Sequence, residues 1–167
     1  MVLGHTMCFL RQGDRLLLLN RLRPPAMGLW TGVGGKIEPG EGPLAGARRE
    51  VREETGLLVG PAPCAGKITW GAGGMYCFVF PLPPGVASAA PRHVAEGLLD
   101  WRHLDWVLHP ENAGVAPHVQ RALPALLRGG PCLEHRFTFA PGAASTDWTI
   151  LEYAVLRPPA GGRDADG

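Results

Sequence analysis

Apolar positions along the chain recur with two different periods. Leu3 to Arg11 and Arg15 to Arg21 are apolar-rich runs on either side of Gly13-Asp14, a pair that tolerates positive φ, and together they predict a β-hairpin. Leu16 to Leu19 is apolar without alternation, so this second strand is expected mid-sheet with both faces covered. Leu44, Ala47 and Val51 instead recur at i, i+3 and i+7, the stripe of an amphipathic helix. Pro43 suits its first turn, where a missing N–H is no loss, and Gly56 suits its C-terminal stop. Strands are then expected at Leu57–Val59, Cys64–Trp70 and Met75–Leu82, the last two joined across Gly71 to Gly74. A proline- and alanine-rich connection, Pro83 to Arg92, leads to an apolar and aromatic strand from Leu98 to Trp106. Val115, Val119, Leu123 and Leu127 step by four and predict a second helix, despite Pro117 near its start and Pro124 within it. Leu133–Ala140 and Trp148–Leu156 form a closing hairpin over Pro141 to Asp147. Strands before and after two helices give an α/β class fold, a mixed sheet sandwiched between helices.

Composition bounds this picture. The 167 residues, 46% of them hydrophobic, suffice for one domain with a sizeable core, expected over residues 1–157, with 158–167 as a disordered tail. Sixteen Lys and Arg against fifteen Asp and Glu leave a net charge of +1, which supplies no basic field for nucleic acid. No stretch of about 18 apolar residues and no secretory leader pattern is found, so no membrane role is expected and a cytoplasmic location is. Cys8, Cys64, Cys77 and Cys132 form no CxxC pair and are expected as buried free thiols. His5, His93, His103, His118 and His135 show no metal-ligand spacing and are expected as ordinary surface or core groups. Monomer and homodimer both remain open.

The chemistry concentrates between Gly34 and Leu57. Glu50, Glu53 and Glu54 stand at i, i+3 and i+4, so in a helix the three carboxylates share one side, next to the apolar stripe. Like charges at this spacing destabilise a helix by roughly 0.2–0.5 kcal/mol per pair. A divalent cation would offset them, and hard carboxylate oxygens suit Mg²⁺ or Mn²⁺. Arg49, adjacent to Glu50 and four residues before Glu53, is placed to orient these carboxylates. The Gly34-Gly35 loop leaves bare backbone for a close approach, with a carbonyl near Gly35 as a further oxygen donor.

From Gly35, five residues lead to Glu41, seven more to Arg49-Glu50-Val51, one to Glu53-Glu54 and one to Gly56-Leu57, which resembles the complete box of the Nudix hydrolases. The resemblance implies the α/β/α Nudix fold and cleavage of a nucleoside diphosphate linked to another group, by water attack at phosphorus with Mg²⁺ or Mn²⁺ as cofactor. It implies Glu53 and Glu54 as principal metal ligands, Glu50 as ligand or general base, Gly35 and Glu96 as further ligands, Arg49 as the orienting cation, and Lys36 with Arg21 as phosphate contacts.

Beyond the box, over roughly residues 3 to 156, the chain is similar to the MutT-like members that hydrolyse oxidised purine nucleoside triphosphates such as 8-oxo-dGTP. Thr6 in the first strand, Trp30 to Lys36 and the hairpin ending near Leu151 to Tyr153 carry this likeness. It implies a base pocket at Thr6, Thr31, Glu111 and Asn112, although Thr31 stands where an asparagine is expected and His109-Pro110-Glu111-Asn112 replaces a Trp-Pro-Asp-Asp segment. Trp30 is expected near that pocket, and Trp70, Trp101, Trp106 and Trp148 in the core. Two other readings are a Nudix hydrolase of ADP-ribose, a dinucleotide or a diadenosine polyphosphate, and a Nudix-fold sensor that binds a nucleotide without turnover.

Overall fold

The computed structural model describes residues 3–86, 90–141 and 149–157; Trp148, part of the 83–92 connection and the expected tail lie outside them. In chain order the elements are β1 (His5–Gln12), β2 (Arg15–Arg21), β3 (Trp30–Thr31), α1 (Pro43–Thr55), β4 (Cys64–Trp70), β5 (Gly73–Pro81), β6 (Arg92–Val94), β7 (Gly97–His103), α2 (Leu104–Val107), α3 (Pro117–Arg128), β8 (Leu133–Phe139) and β9 (Ile150–Leu156).

The nine strands of the described residues belong to one sheet, ordered β6-β7-β2-β1-β5-β4-β8-β9 with β3 beside β2. The pairs β1–β5 and β4–β8 are parallel and the others antiparallel, so the sheet is mixed. β2 lies inside it, and Leu16 to Leu19 are at most 1% exposed, as their unbroken apolar run requires. Their alternate side chains feed two cores. Leu16 and Leu18 join Met7, Phe9, Ile68 and Phe137 on the face covered by α3. Leu17 and Leu19 join Cys8, Leu10, Phe78 and Leu99 on the face covered by Ala47 and Val51 of α1. Helices on both faces make the expected sandwich, and truncating one of these leucines to alanine would cost about 2–5 kcal/mol.

Three local expectations are corrected. Residues 57–59 form no strand; Gly56 adopts φ 74°, caps α1 through its N–H to the Arg52 carbonyl, and turns the chain into an irregular connection. The strand expected to reach Trp106 stops at His103, because Leu104 to Val107 coil into one helical turn. Trp106 ends 40% exposed there. The cysteines divide: Cys8 and Cys77 are buried free thiols, whereas Cys64 and Cys132 form a disulfide with Cα atoms 5.4 Å apart. Their separation of 68 residues hides the pairing in the sequence, but Gly66 of β4 registers with Leu133 of β8, which brings the residues at these two strand starts side by side. Among the described residues no helix is long and apolar enough to cross a membrane.

The registers also fix where a site forms. Arg21 pairs with Gly97, Trp70 with Gly73 and His5 with Met75, while Gln12 pairs with Arg15 at the opposite end. The starts of β1, β5 and β7 and the ends of β2 and β4 therefore share one end of the sheet.

Candidate active site

At that end the chain after β3 returns along β1: the Thr6 N–H donates to the Gly35 carbonyl at 2.8 Å and the Cys8 N–H to the Val33 carbonyl at 2.6 Å. The approach is too close for a side chain at Gly34, whose φ is 145° and whose Cβ would lie 2.3 Å from the Thr6 carbonyl oxygen. On its other side the Gly34 N–H donates to Glu54 Oε2 at 2.9 Å. The glycine loop is thus held between β1 and α1. A Cβ at Gly35 would stand 2.6 Å from the Glu50 carboxylate, so the bare backbone there is what lets Glu50 lie over the loop.

Arg49 orders the acidic face of α1. Its Nε and Nη2 donate to the two oxygens of Glu41 at 3.0 and 2.9 Å, its Nη1 to Glu50 Oε1 at 2.8 Å and to Glu53 Oε2 at 3.2 Å, and its Nη2 also to the Lys36 carbonyl at 2.8 Å. These carboxylates hold the guanidinium firmly charged, and Arg49 in turn keeps the Glu41 carboxyl below the usual carboxylate range. One planar fork therefore ties helix to loop while setting the Glu50 rotamer.

The adjoining cleft has a volume of about 580 Å³ and is open to solvent. Glu50, Glu54 and Glu96 line it together with Gly35, Arg21 and Lys36, and so do Thr6 and Thr31. Glu54 is 6% exposed, and its carboxyl is pushed up to about 8, first by burial and then by Glu96 and Glu50 nearby, against the hydrogen bond from Gly34 and the charge of Arg21. Glu96 sits between β6 and β7, and its carbonyl accepts the Leu22 N–H at 2.9 Å, which fixes it beside the end of β2.

Other expected site residues are placed elsewhere. Glu53 points away from the cleft, its side chain 59% exposed and joined to Arg49. Glu111 and Asn112 do not line the cleft: Asn112 Nδ2 donates to the Trp106 carbonyl at 2.7 Å and its Oδ1 accepts from the Gly114 N–H at 2.9 Å, so it shapes its own loop. Trp30 is 8% exposed in the core, with the Arg102 guanidinium 4.3 Å over its ring, and does not line the cleft either. The walls opposite the glutamates are instead Met7, Trp70, Met75 and His118. Sequence reading missed them because a tryptophan closing an apolar strand and one histidine on a helix look like core. The one available signal was position, Trp70 being the last strand residue before a glycine turn.

Among the described residues no three His, Cys, Asp or Glu side chains stand together closely enough to hold a metal ion. The donor set nevertheless fits a hard divalent cation. Glu54 is buried beside two other carboxylates and its charged form is disfavoured, a deficit that a cation in the cleft would remove. The Gly35 carbonyl, already accepting from Thr6, has a second lone pair for the same ion.

Burial pushes the His118 imidazole down to about 4 from the ordinary 6.5. Below pH 6.5 the unfolded chain takes up a proton that the folded chain refuses until about pH 4, so this contribution to stability is whole above pH 6.5 and is lost as pH falls toward 4, by up to about 3 kcal/mol. In urea titrations at pH 7 and pH 5, His118→Phe is expected to lose less stability on acidification than the wild type. Equal losses would contradict a neutral buried imidazole.

A carboxylate helix ordered by one arginine and laid against a glycine loop, in a cleft at the end of a mixed sheet, marks a hydrolase of nucleoside diphosphate derivatives. The NUDIX domain family model matches residues 3–122, and the chain belongs to that family. An uncharacterized Nudix hydrolase of Bacillus subtilis, YvcI, is 29% identical over 159 residues, 90% of this chain and 92% of that protein. The mouse oxidized purine nucleoside triphosphate hydrolase is 38% identical over 66 residues, 40% of this chain and 42% of that enzyme. The crystal structure of the mutator MutT protein from Bacillus halodurans superimposes with a TM-score of 0.70 at 26% identity, covering 90% of this chain and 95% of that one.

Proposed function

We propose that the chain hydrolyses nucleoside triphosphates to the monophosphate and pyrophosphate, with Mg²⁺ as cofactor, Mn²⁺ able to replace it, and oxidised purines such as 8-oxo-dGTP as the first substrates to test. The observation that carries this reading is the convergence of Glu50, Glu54 and Glu96 with Arg21 and Lys36 on one nucleotide-sized cleft. Likeness to the mouse enzyme supports the oxidised-purine choice over the 66 residues it spans.

A divalent cation, when bound, neutralises charge on the polyphosphate and lowers the pKa of a coordinated water. Glu54, Glu50, Glu96 and the Gly35 carbonyl are the groups that would hold it. Arg49 holds Glu50 Oε1, which leaves Oε2 as the oxygen to take the proton of the attacking water. Arg21 and Lys36, which line the same cleft as the glutamates, hold the phosphate chain. Glu53 serves mainly to fix Arg49 in this arrangement.

The test is a nucleotide panel with Mg²⁺. Pyrophosphate release from 8-oxo-dGTP or dGTP, abolished by EDTA and restored by Mg²⁺ or Mn²⁺, is the expected result. AMP from ADP-ribose without triphosphate turnover would replace the substrate class, and no turnover of any compound would favour a nucleotide sensor.

A further inference from the structure

A second cavity, of about 490 Å³, lies at the end of the sheet opposite the cleft, where β4 and β8 start. Ala65 of β4, Leu133 and His135 of β8, Arg128 and Gly129 at the end of α3, and Arg157 just after β9 line it. The helix α3 runs between the two openings. His118 lines the cleft and Arg128 the cavity, about ten residues or about 15 Å of helix further on.

The charge of this cavity is one-sided. His135 pairs with Val155 and Phe137 with Tyr153, and this register puts His135, Tyr153 and Arg157 on the sheet face covered by α3, while Glu134 and Glu152 alternate onto the other. Within Pro117–Arg128, α3 itself has no Asp or Glu. The lining thus has two guanidiniums and no carboxylate, and neither Arg128 nor Arg157 makes an ion pair among the described residues. His135 adds a directed donor. It is 1% exposed, and its Nδ1 stands 2.8 Å from the Tyr153 hydroxyl, whose ring is held in turn by the Arg121 guanidinium at 5.1 Å. Burial pushes the His135 imidazole below its ordinary range, so the ring is neutral at pH 7. With the hydroxyl donating to Nδ1, the ring proton is on Nε2, which has no partner among the described residues.

We propose that this cavity is a second anion site, taking a compact phosphate-bearing molecule between the Arg128 and Arg157 guanidiniums and the His135 Nε2–H. Guanidinium forks match pairs of phosphate oxygens, and a neutral N–H fixes the orientation of a third. The last carbonyls of α3 oppose an anion with about half an elementary charge, which two full positive charges outweigh. The site uses neither the cleft nor a metal, so it stands apart from the hydrolase reading.

The experiment is a titration of the ¹⁵N-labelled full chain with inorganic pyrophosphate in EDTA at low ionic strength, read by amide NMR. Saturable shifts at Ala65, Gly129 and Leu133 are expected. Arg128→Gln and Arg157→Gln should each weaken the affinity read at these amides by about 3- to 10-fold, the modest end for a charged hydrogen bond because both side chains are exposed. Arg157→Lys should lose less than Arg157→Gln, and unchanged spectra elsewhere show that the variants remain folded. No shift at the three amides, shifts confined to residues 34–36, or equal affinity in the wild type and both glutamine variants would each overturn the proposal. An identical response to sodium chloride at matched ionic strength would do so too, since it would show screening alone.

Discussion

Glu54→Gln is expected to lower triphosphate turnover by two to three powers of ten while leaving the melting temperature unchanged or higher. The Glu54 carboxylate combines burial, a hydrogen bond from the Gly34 N–H at 2.9 Å, and a place in the cleft beside Glu50 and Glu96. Glutamine keeps the shape and an oxygen that can accept from Gly34, but it carries no charge for a cation. Loss of charge stabilisation at a metal amounts to several kcal/mol, and each 1.36 kcal/mol is about tenfold in rate. Stability moves the other way, because burial and two neighbouring carboxylates already disfavour the charged form. Glu53→Gln provides the contrast: its side chain is 59% exposed and touches the site through Arg49, so a loss of about tenfold, the low end of what an orienting partner contributes, is expected. Steady-state kinetics with thermal melts decides the matter. Near-full activity in Glu54→Gln, or equal losses in the two variants, would remove Glu54 from its role as principal ligand.

The difference between these glutamates was not legible in the sequence, and the reason is geometric. Spacing shows that Glu50, Glu53 and Glu54 share a helix side, but not which edge of that side meets a neighbouring loop. Gly34 and Gly35 decide it by passing under Glu54 and Glu50 and leaving Glu53 to solvent. The arrangement of the loop and helix at the candidate site was legible because its residues are local in sequence: one loop and one helix contain everything Arg49 touches. The hairpin of β1 and β2, α1, α3 and the closing strands were legible for the same reason, each having its own period or turn. The far wall of the cleft was not, because it is assembled from the start of β1, the β4–β5 turn and α3, which only the parallel pairing of β1 with β5 brings together. Glu111 and Asn112 were expected in a base pocket because His109-Pro110-Glu111-Asn112 resembles a family segment, and hydrogen bonds within its own loop keep Asn112 out of the cleft. The Cys64–Cys132 bond is the same kind of case, a contact made by a parallel pair of strands distant in sequence.

Gly97→Ala is expected to destabilise the fold by about 3 kcal/mol, from overpacking and backbone strain of order 1–3 kcal/mol each, and to loosen Glu96 from the cleft. Gly97 has φ 154°, and a Cβ there would meet the Asn20 carbonyl oxygen at 1.9 Å and its carbon at 2.9 Å. Both are backbone atoms of β2, so no rotamer change can relieve the contact; β7 must shift away from β2 at the Arg21–Gly97 pair. Glu96 is the preceding residue, and its carbonyl accepts the Leu22 N–H at 2.9 Å across the same gap, so the shift takes the carboxylate with it. Gly85→Ala separates strain from clash. Gly85 also has positive φ, 87°, but nothing lies within 4 Å of its Cβ position, so only the backbone term of about 1 kcal/mol is expected. For a chain of this size 3 kcal/mol is a fall of about 6–12 °C in melting temperature. In the folded Gly97→Ala protein the Mg²⁺ concentration for half-maximal activity should rise, while Gly85→Ala keeps the wild-type value. Equal melting shifts in the two variants would show that the β2–β7 contact is not what requires glycine, and an unchanged Mg²⁺ requirement would separate Glu96 from the metal site.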